Sequence, residues 1–222
     1  MARPPAGPAR RLLLINPNTS TATTQLMAQI ARDEAADFGV EAMTVAHGKA
    51  LITNEFELAT AARAVAELLE RSDLSRFSGI LIAAFGDPGM QEARTRSGPP
   101  ITGLAEAAMN EAPGRFAVVT TTPALARPIK ASAALYGHDT RLAGVFTTPG
   151  EPAVLMASPE ALLDAMIDAS RRALAQSGAD SIVIGGGPLA RVARQLRVLL
   201  PVPVIEPIPA AVRLARLRAE PG

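Results

Sequence analysis

The chain has 222 residues, 48% of them hydrophobic and 19% charged, and 22 basic against 21 acidic side chains leave a formal charge of +1. That is apolar material for one domain or two small ones, and too little charge to drive binding to nucleic acid or to an anionic membrane. The absence of cysteine excludes disulfides, thiolate nucleophiles and cysteine-bound metal, and two distant histidines, His47 and His138, do not make a histidine metal site.

Residues 1–10 (MARPPAGPAR) lack the apolar stretch of a secretory signal and read as a flexible tail. No run approaches the ~18 apolar residues that a spanning helix needs. The expectation is a soluble, cytoplasmic protein.

Strand-like and helix-like runs then alternate. Arg11–Asn16 reads as a short apolar strand. Thr19–Phe38 reads as a helix, with Thr19 or Ser20 available as its cap. Glu41–Val45 is a second strand, and Glu55–Arg71 a helix with apolar residues at helical spacing. Gly79–Ala83 is a buried strand, and Phe85–Gly89 the loop leaving its C-terminal end. A short helix follows, and Pro100–Gly103 is expected to open another helix that runs to Ala112.

The pattern then restarts. Arg115–Thr120 reads as a strand, Pro123–Tyr136 as a helix, Leu142–Phe146 as a strand and Pro159–Gln176 as a helix. Ser181–Gly185 is a strand, followed by a triple-glycine loop and a helix to Leu199. Pro203–Glu206 is a last short strand before a C-terminal helix. Apolar strands separated by helices of 10–20 residues argue for parallel sheets covered on both faces.

The chain also resembles itself. Leu12–Thr19 (LLLINPNT) corresponds to Phe116–Pro123 (FAVVTTTP), and Ile80–Gly89 (ILIAAFGDPG) to Ile182–Ala190 (IVIGGGPLA). The expected fold is therefore α/β, with two pseudo-symmetric Rossmann-like halves, parallel sheets and an interdomain cleft. Residues 11–112 with about 207–222 would form the first half, and 113–206 the second. Each half has two strand-to-loop corners, and ligands of open α/β sheets bind at such corners.

The corners carry polar groups whose roles have a structural and a functional reading. The Asn16 amide suits a carboxylate or an imide, or merely holds its turn. Thr120, Thr121 and Thr122 offer hydroxyls beside a helix N-terminus, or a strand end and a cap. Gly186 and Gly187 let backbone N–H groups approach a ligand, or form a tight turn. The glycine spacing fits neither a P-loop nor a dinucleotide fingerprint. Asp87 is a candidate acid or base, and equally a residue that nucleates its Gly-Asp-Pro-Gly turn. Glu106 lies early on its helix, where a carboxylate complements the dipole. Glu206 follows a strand. His47 has the side chain best suited to proton transfer near neutral pH, though a lone loop histidine is commonly structural.

Taken together, Ile15-Asn16-Pro17-Asn18-Thr19, the FGDPG loop at 85–89, Ile101–Ala107 (ITGLAEA), the threonine corner at 120–122 and the glycine corner at 185–187 resemble the aspartate/glutamate/hydantoin racemase superfamily, in particular its hydantoin and allantoin racemase branch. The resemblance runs from about residue 11 to the C-terminal helix. It implies a homo-oligomer without cofactor or metal that moves the proton on a carbon next to a carbonyl. Its ligand would be a small carboxylate or cyclic imide held by Asn16, Ala84, Phe85, Gly86, Thr120, Thr121, Thr122, Gly186 and Gly187. It also implies two cysteines facing each other across the substrate, one to remove the α-proton and one to return it. Their positions fall on Ala84 and Gly186, and neither residue can carry a proton. The two-thiol route is closed to this chain. Either Ala84 was introduced by design, which leaves Gly186 to be explained, or both thiols are naturally absent. The first expectation is an isomerase using non-thiol groups, with His47, Asp87, Glu106 and Glu206 as weak candidates. The alternatives are a lyase or hydrolase on the same scaffold, or a protein that only binds a small acid.

Overall fold

A computed structural model describes residues 10–35 and 38–220. Most of the expected flexible tail, residues 1–9, lies outside the described residues. The chain builds two four-stranded parallel sheets. The first holds β1 (Arg11–Asn16), β2 (Gly39–Thr44), β3 (Gly79–Ile82) and β4 (Ile101–Gly103), in the order β2-β1-β3-β4. The second holds β5 (Phe116–Thr120), β6 (Leu142–Thr147), β7 (Ser181–Ile184) and β8 (Val204–Ile205), in the order β6-β5-β7-β8. The two orders are the same, which matches the internal resemblance between LLLINPNT and FAVVTTTP. In each sheet the order reverses beside its first strand, so β1 and β3, and likewise β5 and β7, flank a switch point.

The central strands are apolar along their whole length because helices cover both faces. Leu12 to Ile15 and Phe116 to Val119 are fully buried. The helices are α1 (Thr21–Glu34), α2 (Glu55–Arg71), α3 (Met90–Arg94), α4 (Leu104–Glu111), α5 (Ala126–Leu135), α6 (Pro152–Met156), α7 (Pro159–Ser177), α8 (Ala190–Leu199) and α9 (Pro207–Ala219). Local chemistry sets several of their ends. Ser20 caps α1 through an N–H bond from Thr23 of 3.2 Å. Asn54 caps α2 by accepting from the Glu57 N–H at 3.0 Å, while Glu57 reaches back to the Thr53 N–H at 2.8 Å. Gly178 ends α7 in a left-handed conformation, φ 59°.

Two expectations are corrected. Ile101–Gly103 is an edge strand pairing with β3, and the helix begins only at Leu104. Three residues are too few to show a period, so the β-branched pair Ile101-Thr102 was absorbed into the helix that follows. The first helix starts at Thr21 and its last residue is Glu34, shorter at both ends than the expected Thr19–Phe38. One apolar core crosses between the sheets and includes Leu14 and Leu81 of the first with Phe116 and Val183 of the second. The C-terminal helix α9 packs on α4, α1 and β3 of the first sheet. No helix among the described residues is long and apolar enough to cross a membrane.

Candidate active site

The C-terminal ends of β1, β3, β5 and β7 meet at one pocket. From the first sheet come Asn18, Ala83, Ala84 and Phe85; from the second come Thr120 to Thr122 and Gly185 to Leu189. Leu51 and Ile52 from the loop before α2, Leu125, and Met156 of α6 complete an apolar wall. Ala84 and Gly186 therefore line the same cavity.

Three glycines in succession make the second wall, for different reasons. A methyl group on Gly185 would stand 2.9 Å from Val118 Cγ1 and 3.0 Å from Thr120 Cβ. One on Gly187 would stand 2.6 Å from Met27 Sδ and 3.1 Å from the Ala83 carbonyl oxygen. Gly187 thus lets the two corners touch across the sheets. Gly186 is under no such constraint. Its backbone is extended (φ 174°, ψ 135°), and an added Cβ would press only on the Leu189 side chain at 3.2 Å. The missing side chain at 186 is not compelled by the backbone.

The polar groups divide into those used by the fold and those left open. The Asn16 amide is fully buried and donates to Asn18 Oδ1 (2.9 Å), the Ser20 carbonyl (3.1 Å) and Thr24 Oγ1 (2.9 Å), while its own oxygen accepts from the Asn18 N–H. Asn16 stands behind the pocket wall, and its neighbour Asn18 lines it. Asn18 Oδ1 is occupied by Asn16 and by the Ser20 N–H, but its NH₂ group donates to nothing among the described residues. Thr120 donates to the Gly185 carbonyl at 2.8 Å and shares a 3.1 Å contact with Thr122. Thr121 makes no hydrogen bond among the described residues, through either its hydroxyl or its N–H. The N–H groups of Ala84, Phe85, Gly186 and Gly187 donate to no group there either.

None of the four ionisable candidates lines this pocket. The Asp87 carboxylate sits on the first turn of α4, accepting the N–H groups of Ala105 and Glu106 at 2.9 Å each and the Tyr136 hydroxyl at 2.7 Å. Burial pushes its pKa up to about 6, against the pull of those three hydrogen bonds. Burial also acts to raise Glu106, but hydrogen bonds from Arg218 (2.8 and 2.9 Å) and Arg94 (2.6 Å) outweigh it and hold the carboxyl below its usual range. Glu206 precedes α9 and faces Arg194 and Arg197 at 3.8 and 3.3 Å. His47 lies in a separate shallow groove, half-exposed and paired with Glu67 at 3.0 Å. Gly86 borders a different groove, behind the loop. No side chain lining the pocket has a pKa near neutrality.

Sequence reading missed Asn18 as a wall residue, and Leu51, Ile52, Leu125 and Met156. An apolar pair such as Leu51-Ile52 inside a loop was the available signal, since such a loop must cover something.

The sequence pattern of the Asp/Glu/Hydantoin racemase family matches residues 12–215. The chain belongs to this family. It is 31% identical to a hydantoin racemase of Paenarthrobacter aurescens over 210 residues, covering 92% of this chain and 89% of the relative. An allantoin racemase from Pseudomonas fluorescens superposes with a TM-score of 0.88 at 26% identity, covering 93% of this chain and 89% of that one. One from Klebsiella pneumoniae gives 0.84 at 33% identity, over 94% and 86%. Within the racemase family, this chain keeps the fold and has no cysteine anywhere.

Proposed function

We propose that this protein binds a small cyclic imide or carboxylate, such as a hydantoin, in the pocket between its two sheets, and acts on it as a cofactor-independent isomerase that moves the α-proton. The observation that carries this reading is the set of free donors on a wall without competing charge: Asn18 Nδ2, the Thr121 hydroxyl and the N–H groups of Ala84, Phe85, Gly186 and Gly187. Removing a proton next to a carbonyl builds negative charge on its oxygen. Fixed donors in an apolar cavity stabilise that charge without reorganising. In this reading water fills the places beside Ala84 and Gly186 where the resemblance puts thiols. Water or hydroxide on one face takes the α-proton, the enolate is held by the donors, and water on the other face returns a proton. General acid–base catalysis is worth roughly 10²–10⁴ in rate, so the reading is of a slow isomerase. A homo-oligomer in the cytoplasm belongs to the same reading.

The test is α-proton exchange in D₂O, followed by NMR on 5-substituted hydantoins, allantoin and amino acids. Exchange at least tenfold above buffer supports the isomerase. A second reading, a protein that binds a small acid without turning it over, is favoured by the absence of any titratable side chain on the wall. Exchange at the buffer rate with a ligand-induced rise in melting temperature would establish that one. An Ala84→Cys, Gly186→Cys double variant should gain about 10²-fold or more in exchange; if it folds and gains none on any of these compounds, the placement of the two corners is wrong.

A further inference from the structure

Asp87 takes no part in the pocket wall, yet its carboxylate accepts three hydrogen bonds. It holds φ 49°, a left-handed conformation that Asp tolerates better than most residues. Its N–H donates to the Ala84 carbonyl at 3.1 Å and closes the turn that carries Ala84 and Phe85. Its carboxylate grips the start of α4, so closely that a methyl group on Gly103 would fall 2.2 Å from Asp87 Cγ. The third partner comes from the chain between β5 and β6 of the second sheet. Tyr136 ends α5, and that helix grows out of the threonine corner through the turn at Pro123–Leu125. A carboxylate on the loop of one wall is thus bonded to the far end of the helix that carries the other wall. Beside Asp87 is the buried Glu106, whose charge is met by the half-buried Arg94 and Arg218, and the Tyr136 hydroxyl is the bond that runs from Asp87 to the end of α5.

We propose that Asp87 and Tyr136 are positioning residues whose hydrogen bond latches the Ala84 corner to α5 and fixes the separation of the two walls of the pocket. The consequence for ligand binding rests on the reading of the pocket given above; the latch itself does not. Opening this bond frees the 84–87 turn and α5 to move apart, and the donors on the two walls no longer converge on one ligand.

Tyr136→Phe removes one hydroxyl and keeps the ring. Hydrogen exchange followed by mass spectrometry should show the amides of Asp87, Ala105 and Glu106 opening three- to tenfold faster, with the strand amides of both sheets unchanged. Affinity for 5-methylhydantoin, read by calorimetry, should fall by a similar factor. Asp87→Asn should show the same opening and lose more, because its NH₂ also takes the acceptor from one of the two α4 N–H groups; adding Tyr136→Phe to it should cost little further, because the latch bond is already gone. Tyr136 is the sole tyrosine and there is no tryptophan, so its emission reports the latch directly. It should change in Asp87→Asn, where the carboxylate acceptor is gone. Unchanged exchange at Asp87, Ala105 and Glu106 in Tyr136→Phe, or an increase spread evenly over all strands, overturns the latch. If the wild-type protein binds no hydantoin, the functional reading fails, and the exchange pattern alone decides the latch.

Discussion

The loops after β3 and β7 hold equivalent places in the two sheets and are built in opposite ways. The first is held by a side chain. Asp87 fixes its turn, caps α4 and meets Tyr136, while Gly86 and Gly89 supply positive φ at 105° and 77°. The second is tied by a single hydroxyl, Thr120 to the Gly185 carbonyl at 2.8 Å, and is otherwise shaped by close approach, with Gly185 against Val118 and Gly187 against Ala83. The difference shows why ionisable residues near a corner need not be catalytic. Asp87 is engaged in holding the first wall and Glu106 in its pairing with Arg94 and Arg218, while no ionisable side chain lines the pocket.

The sharpest way to break this contrast is to remove Asp87. Asp87→Ala leaves two helix N–H groups and one hydroxyl without their acceptor in a buried setting. The expected loss is about 3 kcal/mol of unfolding free energy at neutral pH, read by urea denaturation. A loss under about 1 kcal/mol would mean that the first loop is no better anchored than the second.

The same residue makes stability depend on pH. Its folded pKa of about 6 lies above the ordinary aspartate value of about 3.9. The folded state therefore binds the proton more tightly. The stability this contributes is complete below about pH 4 and is lost as pH rises through about 6. Glu106 acts oppositely: its pKa is lowered, so its contribution is lost as pH falls. Comparing wild type with Asp87→Ala at each pH cancels the Glu106 part. The gap between them should shrink by about 2–3 kcal/mol from pH 4 to pH 7; a constant gap would show that Asp87 titrates normally.

The second loop is tested at Gly187. An added methyl meets Met27 Sδ, which can swing aside, and the Ala83 carbonyl, which cannot without parting the corners. Gly187→Ala should cost about 1–2 kcal/mol and weaken hydantoin binding more than its stability loss explains. Equal affinity with lower stability would show that the spacing of the corners does not govern the pocket.

Much of this arrangement was legible in the chain. The repeat of an apolar strand followed by a polar corner placed β1 with β5 and β3 with β7, because buried parallel strands must be apolar throughout and their exits must turn. The four corners followed from that, and so did Ala84 and Gly186 as wall residues. What was not legible depends on direction and distance. Asn16 and Asn18 are two residues apart on one turn, and only the backbone path decides which amide faces the fold and which the cavity. Nothing local to Asp87 announces that Ala105, Glu106 and Tyr136 will be its partners, 18 to 49 positions away. Met156 is carried in by α6, a helix of five residues too short to leave a period.

The smallest effects are expected at residues whose chemistry suggested most. His47 is half-exposed, and its pairing with Glu67 is a surface contact; such pairs contribute about 0–1 kcal/mol. His47→Ala should shift stability by under about 0.5 kcal/mol and leave both hydantoin affinity and α-proton exchange within a factor of two. Gly186→Ala should be as quiet in stability, since the backbone there is extended and Leu189 can yield, yet it places a methyl group on the pocket wall. Set side by side, the two substitutions separate reactivity from position. If the ligand sits between the two corners, Gly186→Ala alters affinity and His47→Ala does not. The reverse result would move the ligand to the groove beside His47 and take the site away from both loops.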